Sequence, residues 1–134
     1  MAEQGSSITA STIRYLLILG KLDRGERGIR CVRIAEQLGL SKPSVHRMME
    51  GLCQRQWIQK SRYGTVSLTE NGRLVAERYG RCAQAARLYF DAVLPPDSDL
   101  DGITCAFLAQ IPMDRVEAVY GRIRSRLADF KPSG

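Results

Sequence analysis

The side chains able to do chemistry here are mostly cations. Lys42, His46 and Arg47 fall within six residues of one another, and Lys60, Arg62 and Tyr63 follow shortly after. Guanidinium and ammonium groups next to small hydroxyl residues bind phosphates and base edges; they do not break bonds. Arg47 can pair bidentately with a guanine or hold a phosphate, and Pro43, four residues earlier, shares its helix face and can touch a thymine methyl. His46 is the only histidine. It reads as solvent-facing or phosphate-adjacent, since a metal needs further donors. No histidine pairs with a nucleophile, no glycine loop has phosphate-cradling spacing, and no carboxylate pair sits in an apolar setting, so an enzyme is the least expected reading.

The elements that must position these cations are legible from period. Ile34, Ala35 and Leu38 recur at helical spacing. Gly39 stops that helix, and Leu40 is expected to plug the corner. Ser41 is a good N-cap, and Pro43 is tolerated in the first turn. Val45, Met49 and Leu52 then point inward at i, i+4 and i+7, leaving Lys42, Ser44, His46 and Arg47 outside. Helix, glycine turn and helix with a cationic outer face make a helix-turn-helix. Residues 57–61 and 65–68 alternate as two strands about a turn at Arg62-Tyr63-Gly64. A hairpin in that position is a wing with Lys60, Arg62 and Tyr63 at its tip, placed to follow the backbone or enter the minor groove.

Around this lie other helices. Ser7 or Thr9 caps a first helix expected to end at Gly20-Lys21. Leu22–Gly28 is a charged loop, and Ile29–Cys31 a short edge strand. Thr69, with Glu70 in the first turn, starts a helix to about Ala92. Leu74, Val75, Tyr79, Ala83, Ala86, Leu88 and Phe90 spread its apolar surface beyond one stripe, as expected of a helix packing against a second subunit. Pro95-Pro96 breaks the chain, and Asp97–Gly102 reads as an acidic linker. A short helix over 103–110 follows, then a final one from Pro112 to about Phe130, striped by Val116, Val119, Tyr120, Ile123 and Leu127. The fold class is therefore mainly α: a winged helix-turn-helix with a two-stranded wing over 1–70, then a helical dimerisation region over 71–134.

Charge supports a polyanionic partner. The 134 residues carry a net charge of +6, and residues 1–94 hold 15 Lys and Arg against 8 Asp and Glu, while 95–134 hold 5 against 6. The positive balance belongs with the helix-turn-helix. No apolar run approaches the roughly 20 residues of a membrane span, and the first residues lack a secretory pattern, so the expected location is the cytoplasm. Cys31, Cys53, Cys82 and Cys105 fit no zinc spacing and read as free thiols in a reducing compartment, with a redox or metal role left only to a pair meeting in three dimensions.

The run Ile34-Ala-Glu-Gln-Leu38, Ser41-Lys-Pro-Ser-Val45, Leu52, Trp57-Ile58, Tyr63-Gly64 and Leu68-Thr-Glu-Asn-Gly72 resembles the iron- and manganese-dependent repressors of the DtxR/MntR family. The resemblance spans roughly residues 8–130 and is strongest over 29–78. It implies DNA contacts at Ser41, Pro43, Ser44 and Arg47, and a two-fold dimer through the later helices. It also implies metal ligands, and those do not carry over. Ser11 and Arg14 stand where acidic or sulfur donors are expected, Ala83 (beside Cys82) where a histidine is expected, and Arg87 where a carboxylate is expected. Cys105 matches, but Leu108 and Ala109 replace its partners. Mn²⁺ and Fe²⁺ favour several imidazole or carboxylate ligands. The expectation is a homodimeric regulator of double-stranded DNA with no metal and no cofactor. Two alternatives remain: a winged-helix module that grips another protein, and a metal-responsive repressor with an atypical site.

Overall fold

Thr9 begins the architecture by accepting the Thr12 N–H at 3.1 Å, which satisfies a first-turn donor of helix α1, Ala10–Leu22. The computed structural model describes residues 8–23 and 28–130. The Ser7 alternative and most of the expected charged loop lie outside them. Gly20 does not end α1, because Leu16 and Leu19 are fully buried and packing carries the helix past it.

Strand β1, Ile29–Arg30, leads into α2, Cys31–Leu38. Ile34 and Ala35 face inward, and Gly39 takes the left-handed conformation at φ 65°. Its αL geometry closes the helix, and the Leu40 N–H bonds the Ala35 carbonyl at 3.1 Å. Leu40 itself is 42% exposed, so it does not plug the corner. Helix α3, Lys42–Gln54, is capped by Ser41, whose Oγ accepts the Ser44 N–H at 3.3 Å. Val45, Met49 and Leu52 are buried as their spacing predicts. Burying each is worth roughly 1.5–3 kcal/mol, and that fixes which face α3 shows to solvent.

The wing is β2, Ile58–Lys60, and β3, Thr65–Leu68. Gly64 takes φ 77° in the turn between them. The sheet has three strands in the order β1-β3-β2, all antiparallel. The expected hairpin is present, and the short edge strand joins it, setting Arg30 opposite Thr65. Helix α4, Glu70–Val93, starts where Thr69 Oγ1 accepts the Gly72 N–H at 2.9 Å. The same hydroxyl donates to the Gln56 carbonyl at 2.7 Å. Gly72 is needed for close approach: a Cβ there would overlap the Trp57 carbonyl oxygen.

After the Pro-Pro break, Asp99 caps α5, Leu100–Ala109, by accepting the Gly102 N–H at 3.1 Å. The expected acidic linker is thus half helix, its aspartates serving the helix N-terminus. Pro112 opens a 3₁₀ turn, Met113–Arg115, and α6 follows at Val116–Asp129. The final helix therefore starts later than the proline suggests.

Two units can be distinguished, one from Tyr15 to Glu77 and one from the segments before Tyr15 and after Glu77. The first packs Leu16, Leu19, Ile34, Met49, Leu52 and Trp57, and the second packs Ile13, Tyr79, Cys82, Cys105, Leu108 and Val116. No helix among the described residues is long and apolar enough to cross a membrane.

Candidate nucleic-acid interface

Because Val45, Met49 and Leu52 face the core, the opposite side of α3 is solvent. Pro43 and Arg47 lie on its outermost line, and Lys42 and His46 lie about 100° away along one flank. All four are exposed. Arg47 and Lys42 form no ion pair among the described residues. Ser41 and Ser44 are engaged differently: Ser41 Oγ donates to Ser44 Oγ at 3.0 Å while serving as the cap. These hydroxyls hold the start of α3 in place.

Arg62 and Tyr63 project at the wing tip, with Tyr63 84% exposed. Ser61, absent from the expected set, braces that tip. Its Oγ accepts the Tyr63 N–H at 3.1 Å and shares a 2.7 Å hydrogen bond with Thr65 Oγ1. Lys60 is not a free cation, since its Nζ lies 3.1 Å from Glu50 Oε2 on α3. Part of its charge is neutralised, and the pair fastens the wing to α3.

Lys42, His46 and Tyr63 meet at an open cleft of about 240 Å³, with Val45 among its lining residues. Arg30 and Cys31 also line it. Burial raises the Cys31 thiol pKa, and the Lys60 charge lowers it in part. Sequence reading missed Arg30, because only the pairing of β1 with β3 brings it beside the wing. Asp23 was missed as well. Its side chain is 3% exposed, accepts the Leu68 N–H at 3.2 Å, and meets Arg73 Nη2 at 3.3 Å. A buried carboxylate therefore anchors the end of β3 to the start of α4.

The positions where the resemblance expects metal donors do not suit a cation. Arg87 Nε donates to Asp101 Oδ1 at 2.9 Å, so a guanidinium consumes the nearby carboxylate. Burial raises the Cys105 thiol pKa, Arg14 opposes that rise, and Asp101 and Asp99 add to it, so the one matching ligand has a guanidinium as well as carboxylates nearby. Among the described residues, no three His, Cys, Asp or Glu side chains converge as a metal site.

The fold has known counterparts. A crystal structure of IdeR from T. acidophilum matches with a TM-score of 0.66 at 20% identity, over 91% of this chain and 55% of that one. This chain thus spans about half the length of that protein. The hypothetical protein SSo2273 from Sulfolobus solfataricus matches with a TM-score of 0.58 at 18% identity, over 88% of this chain and 91% of its own. At such identities the likeness speaks to fold alone. No curated protein matches the chain. The HVO_A0261 N-terminal domain model matches residues 9–88, from the cap of α1 through the helix-turn-helix and wing into α4, and by that match the chain belongs to the HVO_A0261 N-terminal domain family.

Proposed function

We propose that this chain is a sequence-specific, DNA-binding transcriptional regulator that acts as a homodimer and needs no metal. One observation carries the proposal: the Ser41-capped helix α3 shows solvent a face of Lys42, Pro43, His46 and Arg47, with the wing tip Arg62 and Tyr63 equally exposed. A helix with cations along its exposed side and a basic hairpin after it suits a major groove and the backbone beside it. In a two-fold dimer, paired recognition helices would read half-sites roughly 34–36 Å apart. The half-exposed stripe of Val119, Tyr120, Ile123 and Leu127 on α6 supports a subunit contact within residues 71–134. The guanidiniums at the expected donor positions support independence from metal, and nothing in the interface is arranged to make or break a covalent bond.

The test is binding of the full chain to its own upstream DNA, in chelator and again with Mn²⁺ or Fe²⁺, over a salt series. Expected is specific binding in chelator, unchanged by metal, with Arg47→Ala weakening it by about 1–3 kcal/mol at a cognate site. Binding only with metal would overturn the metal-independent part. No specific binding in either condition would leave the wing and α3 as a surface for another protein.

A further inference from the structure

Lys42 and His46 do not share the outermost line of α3 with Arg47. They turn into the cleft, with Val45 between them in the i, i+3, i+4 set. The facing residues are Arg30 and Cys31, at the junction of β1 and α2, and Tyr63 at the wing tip. Three separate segments thus line one space with residues that carry a guanidinium, an ammonium, an imidazole and a phenol. None of the cleft's lining residues is acidic. Arg30 is held there by the ladder that sets it opposite Thr65. The volume, about 240 Å³, equals roughly eight waters at about 30 Å³ each. That is ample room for a phosphate group, in a site open to solvent.

We infer that this cleft is the seat of a DNA backbone phosphate and that Arg30 is a further DNA-contacting residue. The inference rests on the proposed DNA-binding function and deepens it. It divides the labour on α3: the Pro43–Arg47 line faces bases, and the Lys42–His46 flank, with Arg30 opposite, grips the strand between helix and wing. A phosphate held from two sides fixes the register of α3 in the groove and carries no sequence preference.

Cys31 provides a reporter at the cleft, and Cys53, also half-buried and on α3 but outside the cleft, provides the control. The full chain is labelled with N-ethylmaleimide, with and without saturating duplex DNA, and the modified thiols are mapped by mass. DNA should slow labelling of Cys31 at least about tenfold and leave Cys53 nearly unchanged. In parallel, Arg30→Ala should weaken binding to unrelated duplexes by a similar factor and reduce the slope of log K against log salt by about one. Arg30 is exposed, so the variant is expected to fold, and the labelling needs no variant. If the parent binds DNA while Cys31 labels as fast as before and Arg30→Ala keeps the parental slope, the phosphate seat is wrong and the DNA-binding function stands. If millimolar inorganic phosphate protects Cys31 and DNA does not, the cleft is a free-anion site and the inference fails. If the parent binds no DNA, both fall.

Discussion

The winged-helix unit and the later helices are held by different kinds of contact. From Tyr15 to Glu77 the geometry is fixed by directional links. Ser41 caps α3, Thr69 bridges the Gln56 carbonyl and the Gly72 N–H, and Asp23 receives Leu68 and Arg73. After Glu77 the side-chain links, such as Arg87 to Asp101 and the Asp99 cap, lie at the exposed surface, and apolar and aromatic contacts hold the helices. Phe90 meets Phe107 edge-on at 5.4 Å, Tyr89 stacks on Phe130 at 5.6 Å, and Glu117 pairs with the exposed Arg81 and the half-buried Arg78 at 3.5 and 3.4 Å. Directional links tolerate little change and set a side chain's aim. Packing contacts degrade gradually and tolerate exchange among apolar residues. A surface that must match another molecule's geometry belongs on the first kind of scaffold.

The largest effect that could break this comparison is at Gly72. An alanine Cβ would meet the Trp57 carbonyl, backbone that cannot rotate away, so the α4 start or the β2 start must move. Gly72→Ala should cost about 3 kcal/mol or more, read as a fall in the denaturant midpoint. A cost below about 1 kcal/mol would mean the junction is as forgiving as the packed helices.

The same contrast explains what the sequence disclosed. Gly39, Ser41, Gly64, Thr69 and the inward set Val45, Met49 and Leu52 are local signals, each satisfied within a few residues, and the structure bears each out. Asp23, Arg30 and Glu50 act through partners 10 to 50 residues away, or through a strand pairing, so no window of sequence reveals them. In the later helices the local signals misled. Asp97–Gly102 looked like a linker because acidic residues suit both a solvated loop and a helix N-terminus, and Asp99 turned out to be a cap. Leu74 and Leu88, expected to pack against a second subunit, are more than half exposed in the single chain, which is what a helix with apolar residues on several faces leaves when one face is covered.

A middle-sized effect sharpens the comparison from the packed side. Cys82 is fully buried, and burial pushes its thiol up from 9.0 to about 11. Between those values the unfolded chain releases the proton and the native chain keeps it. The native state then binds more protons, so stability falls as pH rises. It is fully present below about pH 9 and lost through about pH 11, amounting to roughly 3 kcal/mol at about 1.4 kcal/mol per unit. Cys82→Ala should flatten the decline relative to the parent in urea melts taken from pH 8 to 11. Equal slopes would mean the thiol is solvated. In that window packing contributes through what it excludes from water, without any aimed bond.

The smallest effect returns to the interface. Lys60 and Glu50 are both partly exposed, their side chains 34% and 66% accessible, so the pair adds at most about 1 kcal/mol to stability. Its consequence for binding is larger in kind than in size. Glu50 is a negative charge beside a surface proposed to meet phosphates, and its pairing removes Lys60 from the free cations. Glu50→Gln keeps the shape and frees the ammonium, so DNA affinity should rise a few-fold at low salt, with the gain shrinking as salt increases. Arg62→Ala, removing a cation at the same wing that forms no ion pair among the described residues, should lower affinity by a comparable factor, and Lys60→Ala by less. If Lys60→Ala and Arg62→Ala cost the same, the Glu50 bridge opens on DNA and the wing is aimed by its ligand. If Glu50→Gln weakens binding, the bridge is itself one of the directional links, and its role is to hold the wing where the phosphate will be.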